Sequence, residues 1–111
     1  MTVTSKPFFQ AAYIAASTQL VYRAEGGTAK VEAATATNTS ATDATISVYA
    51  VESGGVPGAS NQIVSAQRVR PGETYLLPEL RGQAFELGDE IYAIASISSA
   101  IVMRVSGLEI V

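Results

Sequence analysis

The most constraining feature of this chain is a period-two alternation of apolar residues that recurs along much of its length. In Thr45–Val51, the side chains of Ile46, Val48 and Ala50 fall on one face of an extended chain. Successive side chains of a β-strand point to opposite faces, so this pattern predicts a strand with one buried face. The alternation recurs with inward positions at Ile91, Ala93, Ala95 and Ile97, and again at Ile101, Met103 and Val105.

Turn sequences rich in glycine and proline separate these segments. Arg70-Pro71-Gly72-Glu73 fits a type II turn, in which Gly72 takes the position that requires a positive φ. Strands separated by such turns at intervals of roughly 8 to 12 residues indicate a sandwich or barrel. We therefore predict an all-β fold, a single β-sandwich of about eight strands, Ig-like or jelly-roll, with little or no helix. The other predicted strands are Thr18–Ala24, Thr28–Thr39, Gln62–Val69, Thr74–Leu77 and Ala84–Glu86.

The N-terminal residues differ from the rest of the chain. Pro7 lacks a backbone N–H and interrupts a strand ladder, so we interpret residues 1–10 as an extended arm and 11–111 as the β-sandwich domain. Ala11–Ala16 is the one segment with helical composition. Because it lacks capping residues and an apolar stripe, we interpret it as strand or extended chain.

The C-terminal residues remain apolar to the last position, which predicts a final strand that completes the sheet. Gly107 interrupts the alternation of this strand. Glycine inside a strand often marks a bulge. We expect a bulge there to shift the inward face from Val105 to Leu108 and Ile110.

The composition excludes several kinds of chemistry. The 111 residues include no His, Cys or Trp, so imidazole catalysis, thiol nucleophiles, zinc sites and disulfides are excluded. A net charge of −3 argues against nucleic acid as a partner. No apolar run reaches membrane-spanning length and the N-terminus lacks a signal-peptide pattern, so we expect no membrane partner.

Charged residues make up 15% of the chain, against about 25% in typical soluble domains. A surface so poor in charge usually marks an interface.

The carboxylates and tyrosines offer no clear site. Most acidic residues lie beside Gly or Pro at predicted strand ends, and the adjacent Asp89 and Glu90 point to opposite faces of a strand. We therefore predict no enzyme, no metal site and no cofactor. The sequon at Asn38 is interpreted as a polar stretch leaving a strand. The tyrosines, which can form a binding platform, are interpreted as core or edge packing: Tyr13, Tyr22, Tyr49, Tyr75 and Tyr92.

Lys6, Pro7, Phe8 and Phe9 are the candidate assembly contacts. They place two large aromatic side chains near a terminus, before the first clear turn. Such a segment either folds into its own core or reaches a neighbouring subunit. The sequence leaves both alternatives open.

Six turn and strand motifs follow one another from about residue 30 onward: Ala36-Thr37-Asn38-Thr39-Ser40, Val48-Tyr49-Ala50-Val51, Ser53-Gly54-Gly55, Pro71–Leu80, Leu87-Gly88-Asp89 and Val105–Glu109. Their order resembles that of small virion proteins of tailed bacteriophages. The resemblance covers about two thirds of the chain and consists of turn and strand motifs, so no catalytic or binding residue follows from it. It implies a β-sandwich within a phage particle.

The resemblance and the low charge together lead us to expect a virion structural protein, made in the host cytoplasm. A capsid decoration or cement protein is the first expectation, and a neck, collar or tail-associated protein is the alternative. The expected partners are other copies of the chain and the major capsid or neck proteins. A carbohydrate-binding module for adsorption is the competing class, although the chain lacks the Trp that usually stacks on sugars.

Overall fold

Nine β-strands in two sheets make up the computed structural model of this protein, which describes residues 1–111. One sheet has the order β1-β9-β3-β6, with β7 also pairing with β3, and the other has the order β2-β8-β4-β5. The only helical element is a short 3-10 turn at Ala59–Asn61. The strands are β1 (Val3–Tyr13), β2 (Gln19–Arg23), β3 (Thr28–Asn38), β4 (Ala44–Val51), β5 (Gln62–Val69), β6 (Thr74–Tyr75), β7 (Ala84–Phe85), β8 (Glu90–Ala95) and β9 (Ile101–Ile110).

The strand pairing is nested, from the two ends of the chain towards its middle. β1 pairs with β9, β2 with β8, β3 with β6 and β7, and β4 with β5, all antiparallel. When β6 and β7 are counted as one interrupted strand, eight strands form two sheets of four, which is jelly-roll connectivity. The predicted all-β sandwich of about eight strands without α-helix is confirmed.

The core lies between the two sheets and is built from the predicted inward positions. Ile46 and Val48 of β4, Ile91 of β8 and Ile101 and Met103 of β9 are fully buried. Burial of such side chains stabilises a fold by roughly 1.5 to 3 kcal/mol each. The alternation is less regular in β4, where Ser47 and Val51 are also buried and Ala50 is half-buried. It fails beyond Ala95, where β8 ends and Ile97 is 41% exposed. β6 and β7 are each shorter than predicted.

Two bulges direct consecutive side chains into the core. The register of β1 against β9 shifts between Pro7 and Phe9, and that of β2 against β8 shifts between Leu20 and Tyr22. A bulge sets two residues opposite one on the partner strand. Phe8 and Phe9 therefore both pack against the core, and Val21 and Tyr22 are both buried.

The predicted bulge at Gly107 is wrong. β9 continues its alternation through Gly107, which is buried, while Leu108 and Ile110 are half-buried on the opposite face. The extra residues lie on the neighbouring strands, at Phe8 of β1 and in β3 between Val31 and Ala33. Glycine is required here for close approach, because a Cβ at Gly107 would lie 2.6 Å from the Phe8 ring.

The N-terminal segment is not separated from the domain. β1 begins at Val3 and runs without interruption to Tyr13, with Lys6 opposite Gly107 and Pro7 opposite Ser106. The interpretation of residues 1–10 as an arm distinct from 11–111 is therefore corrected. Proline is tolerated because β1 is an edge strand, where one side of the strand has no ladder.

The type II turn at Arg70–Glu73 is confirmed. Gly72 has φ of 77°, and the Glu73 amide donates to the Arg70 carbonyl at 3.0 Å. The Gly72 amide donates to the carbonyl of Asn38 at 2.8 Å. The turn is thereby fastened to the end of β3.

Candidate functional site

The four predicted assembly contacts have different environments. Phe8 is buried and stacks on Tyr22, with ring centroids 3.9 Å apart and planes 7° from parallel. Phe9 is half-buried against the core. Lys6 and Pro7 are exposed at the edge of the sheet. In this chain the aromatic part of the segment thus packs in its own core, and only Lys6 and Pro7 are exposed.

A polar network joins the two sheets beside Phe8. The hydroxyl of Tyr22 in β2 donates to Glu109 in β9, and the Lys6 ammonium in β1 lies 3.3 Å from the Glu109 carboxylate. The hydrogen bond from Tyr22 lowers the pKa of Glu109, burial opposes the shift, and Lys6 adds to it. Burial raises the pKa of the Tyr22 hydroxyl, and the hydrogen bond to the Glu109 carboxylate and its charge raise it further. The network holds Glu109 ionised at the inner face of the sandwich.

A row of four side chains crosses the outer face of the β2-β8-β4-β5 sheet. Leu20 lies opposite Tyr92, Tyr92 opposite Tyr49, and Tyr49 opposite Gln62. Neighbours in such a row are separated by roughly 4.5 to 5.5 Å at Cβ. The row therefore forms one continuous strip, which we call the tyrosine row.

The tyrosine row is uncharged and partly exposed. Leu20 is 41% exposed, and the other three side chains are half-buried. Gln62 donates to the Tyr49 hydroxyl at 3.5 Å, and Tyr92 donates to Glu90 at 3.4 Å. The two tyrosine rings are therefore partly accessible, and their hydroxyls are held by neighbouring side chains. Partly exposed aromatic rings suit contacts with an apolar surface.

The tyrosines thus divide between core and surface, where the sequence predicted core or edge packing. Only Tyr22 is buried, and Tyr13 is 51% exposed. Tyr49 and Tyr92 lie at the outward positions of the alternations that identified β4 and β8. The alternation of apolar residues indicates that both tyrosines lie on the outer face of the sheet, but only the strand pairing shows that they are neighbours.

Glu52, Glu86 and Asp89 lie together at one end of the sandwich without forming a catalytic pair. Asp89 accepts from the amides of Ser53 and Glu86, at 3.1 and 2.9 Å, and so fastens two loops together. Two open cavities of about 570 Å³ each lie at this end, one lined in part by Glu52, Val56 and Asn61 and the other by Glu52, Glu86 and Asp89. No three acidic side chains converge in the geometry of a metal site. We conclude that the acidic side chains at this end hold the loops together rather than form a reactive site.

Asn38 has a structural role that the sequence did not reveal. Its side chain is fully buried and donates to the carbonyls of Thr42 and Val69, both at 2.8 Å. Its side-chain oxygen, Oδ1, accepts hydrogen bonds from the backbone amide and the hydroxyl of Ser40. β3 ends at this residue, which confirms that the sequon is a polar stretch at the end of a strand.

Comparisons with protein-family models, with curated proteins and with solved structures found no match to this chain. The structure contains no helix of the length and apolar character that crossing a membrane requires. The functional argument therefore depends on the fold and surface of this chain alone.

Proposed function

We propose that this chain is a non-enzymatic structural protein of a tailed-bacteriophage virion. The first placement is that of a decoration or cement protein, which stabilises the capsid by contacts with other copies and with the major capsid protein. Neck, collar or tail-associated placement is the alternative. The jelly-roll connectivity supports this proposal, because the fold is used in viral capsid domains. Fold alone does not establish function, so the surface must supply the main argument.

The observation that carries the proposal is the scarcity of charge across the middle of both outer faces, since the charged residues Arg23, Glu90 and Arg68 on one face and Lys30 and Glu32 on the other lie to the sides. The tyrosine row crosses one face without a charged residue. On the other face, Thr37 lies opposite Val102 and Ala33 opposite Ser106, and Arg104 is the one charge in this stretch of the two strands. Flat faces of small and aromatic side chains resemble the interior of an interface, where charge is depleted.

Exposed apolar side chains on the loops extend this surface. Val56, Leu76 and Leu87 are 76%, 67% and 62% exposed. Their dispersal over separate loops indicates several contact surfaces rather than one groove. A protein held among several neighbours in a particle would cover them all.

The proposal is tested by association with particles. Purified chain is mixed with tailed-phage particles that lack it, and bound protein is measured by co-sedimentation, with light scattering of the chain alone as a second readout. We expect saturable binding to particles. A protein that stays monomeric and unbound at high micromolar concentration contradicts the proposal.

The tyrosine row favours one second candidate, a carbohydrate-binding module for adsorption. Jelly rolls also occur in lectins, and the two adjacent rings are flanked by Gln62 and by the Arg23–Glu90 pair, joined at 2.8 Å. If this function holds, Tyr49→Ala and Tyr92→Ala abolish glycan binding, while the exposed Tyr13→Ala leaves it unchanged. Absence of binding to host-surface glycans by the unaltered protein eliminates this candidate.

A further inference from the structure

β1 is attached to the rest of the molecule by few side chains. Nine of its eleven residues are exposed, and Phe8 is the only buried one. The Lys6–Glu109 ion pair adds a contact in which the lysine side chain is 43% exposed. The remaining attachments are the half-buried Phe9, a hydrogen bond from Arg104 to the Gln10 side chain at 2.9 Å, and the backbone ladder to β9. Two adjacent aromatic side chains, a few exposed polar contacts and one ladder therefore hold the strand in place.

The site that receives Phe8 is built entirely by other strands. Tyr22 of β2 forms one wall, and Gly107 of β9 leaves the space for the ring. A Cβ at Gly107 would also lie 2.2 Å from the carbonyl oxygen of Lys30 in β3, so the backbones approach closely here. We call this recess the Phe8 notch. It accepts an aromatic ring from any strand that pairs with β9 in the same register.

A hinge lies between this strand segment and the fixed part of the chain. The ladder is irregular between Phe9 and Ala12, where Gln10 and Ala11 are exposed. Beyond it, Ile14 is fully buried and its amide donates to the carbonyl of Ile101 at 2.8 Å. Residues 3–9 can therefore leave the sheet while the chain from Ile14 onward keeps its contacts.

The outer edge of β1 is poorly suited to adding a further strand. Pro7 offers no N–H, and the two register shifts within β1, between Pro7 and Phe9 and between Phe9 and Ala12, disturb the row of backbone groups. The inner edge, on β9, is regular and is satisfied only when a strand occupies it. A neighbour can thus engage this sheet by replacing β1 and not by extending it.

From these features we propose that β1 is an exchangeable strand. Residues 3–9 of one copy leave their own sheet and pair with β9 of a second copy, whose Phe8 notch receives the incoming ring. The inference rests on the proposed assembly function and identifies the partner of this surface as the same chain. Exchange preserves every contact, so it is a low-cost route to association.

Local concentration decides whether β1 pairs with β9 of its own chain, which is the closed form, or with β9 of a second copy, which is the exchanged form. A strand tethered by a short segment competes at an effective concentration on the order of millimolar. Isolated copies in dilute solution therefore keep their own β1. Copies held side by side on a particle reach comparable local concentrations, and there the exchanged form becomes populated.

Cysteine cross-linking tests the exchange directly, since the chain has no cysteine of its own. Ser5 lies opposite Leu108, and opposed Cα atoms roughly 4.5 to 5.5 Å apart are within disulfide range. Separately purified Ser5→Cys and Leu108→Cys proteins are mixed at high concentration and oxidised, and disulfide-linked heterodimers are quantified by mass spectrometry. Ala41→Cys, at an exposed position in the loop after β3, replaces Ser5→Cys in the control mixture.

We expect the Ser5–Leu108 heterodimer at several-fold the yield of the control. Equal yields overturn the exchange. A second arm places both cysteines in one chain, where oxidation locks β1 onto its own β9. The oxidised form should lose self-association that the reduced form retains, and a locked protein that associates normally also overturns the exchange.

The particle-binding measurement separates this inference from the proposed function. A chain that binds particles but shows no heterodimer above control remains a virion protein, and β1 exchange is wrong. A chain that forms the heterodimer but binds no particle exchanges its strand, and the virion function is wrong.

Discussion

At Gly107, the last strand of the chain lies closely against the first strand on one side and against β3 on the other. A side chain there collides with the carbonyl of Lys30 and with the Phe8 ring. Gly107→Ala should therefore lower the free energy of unfolding by about 1 to 3 kcal/mol, the usual cost of overpacking. Gly58→Ala is the matched control, because its extended backbone (φ of −169°) leaves the added Cβ with no heavy atom within 4 Å.

Urea unfolding of both variants gives the comparison. The control should differ from the unaltered protein by less than about 0.5 kcal/mol. Equal losses for the two glycines would show that the Phe8 notch is not closely packed.

Asn38 fixes the loop that carries the chain from β3 to β4. Asn38→Ala leaves the buried carbonyl of Val69 without its side-chain donor, whereas the Thr42 carbonyl still accepts from the Ser40 hydroxyl. One such buried group costs about 1 to 3 kcal/mol, and we expect a loss of that size in the free energy of unfolding.

The control for this prediction is Thr42→Ala, which removes an exposed side chain from the same loop and keeps the backbone carbonyl that Asn38 binds. Its free energy of unfolding should be close to that of the unaltered protein. A melting temperature of Asn38→Ala within a degree of the unaltered protein would contradict the assignment.

The stability of the fold depends on pH through the ionisation of Glu109. Its pKa is lowered in the folded protein, so its ionised form contributes stability above the ordinary glutamate range. That contribution is lost as the pH falls through the lowered pKa. As the pH falls from about 5 through this lowered pKa, the unaltered protein should therefore lose stability more steeply than Glu109→Gln.

Melting temperatures across this range provide the test. Glu32→Gln, a change at an exposed residue of β3, is the control and should leave the acid slope unchanged. Parallel slopes for the unaltered protein and Glu109→Gln would show that the Tyr22–Glu109–Lys6 network does not contribute to stability.

At the scale of elements, the alternation predicted which strands exist and which of their faces are buried. Ile46, Val48, Ile91 and Met103 all lie where their spacing placed them. Local patterns determine side-chain direction, and these strands are regular, so this part of the fold was accessible from the sequence.

The bulges were not accessible in the same way, because a bulge is a property of a strand pair. Gly107 was correctly recognised as unusual, but the extra residue lies across from it, at Phe8. The tyrosine row likewise depends on the register of four strands. Each of its residues could be assigned a face from sequence, but their adjacency could not.

β9 is the element on which one sheet depends. It pairs with β1 on one side and β3 on the other, so residues 108–111 complete two ladders. Deleting Leu108–Val111 also removes Glu109 from the Tyr22 network. Such losses approach the whole stability of a small domain, about 5 to 15 kcal/mol, and we expect no cooperative unfolding transition by circular dichroism. Deleting the fully exposed Met1 is the control, and a truncated protein that melts like this control would contradict the role of β9.

At the scale of the whole molecule, the chain is a jelly roll whose two outer faces carry little charge across their middle. These faces and the proposed exchange of β1 are the basis of the assembly role that we propose.

The central claim is that this chain is a stoichiometric part of a phage particle. Its most direct test is quantitative mass spectrometry of gradient-purified tailed particles from cells that produce the chain, which counts its copies relative to the major capsid protein. We predict a fixed ratio that survives repeated purification, with many copies per particle for the decoration placement and few for a neck or tail placement. Tailed particles from such cells that contain none of the chain would contradict the account.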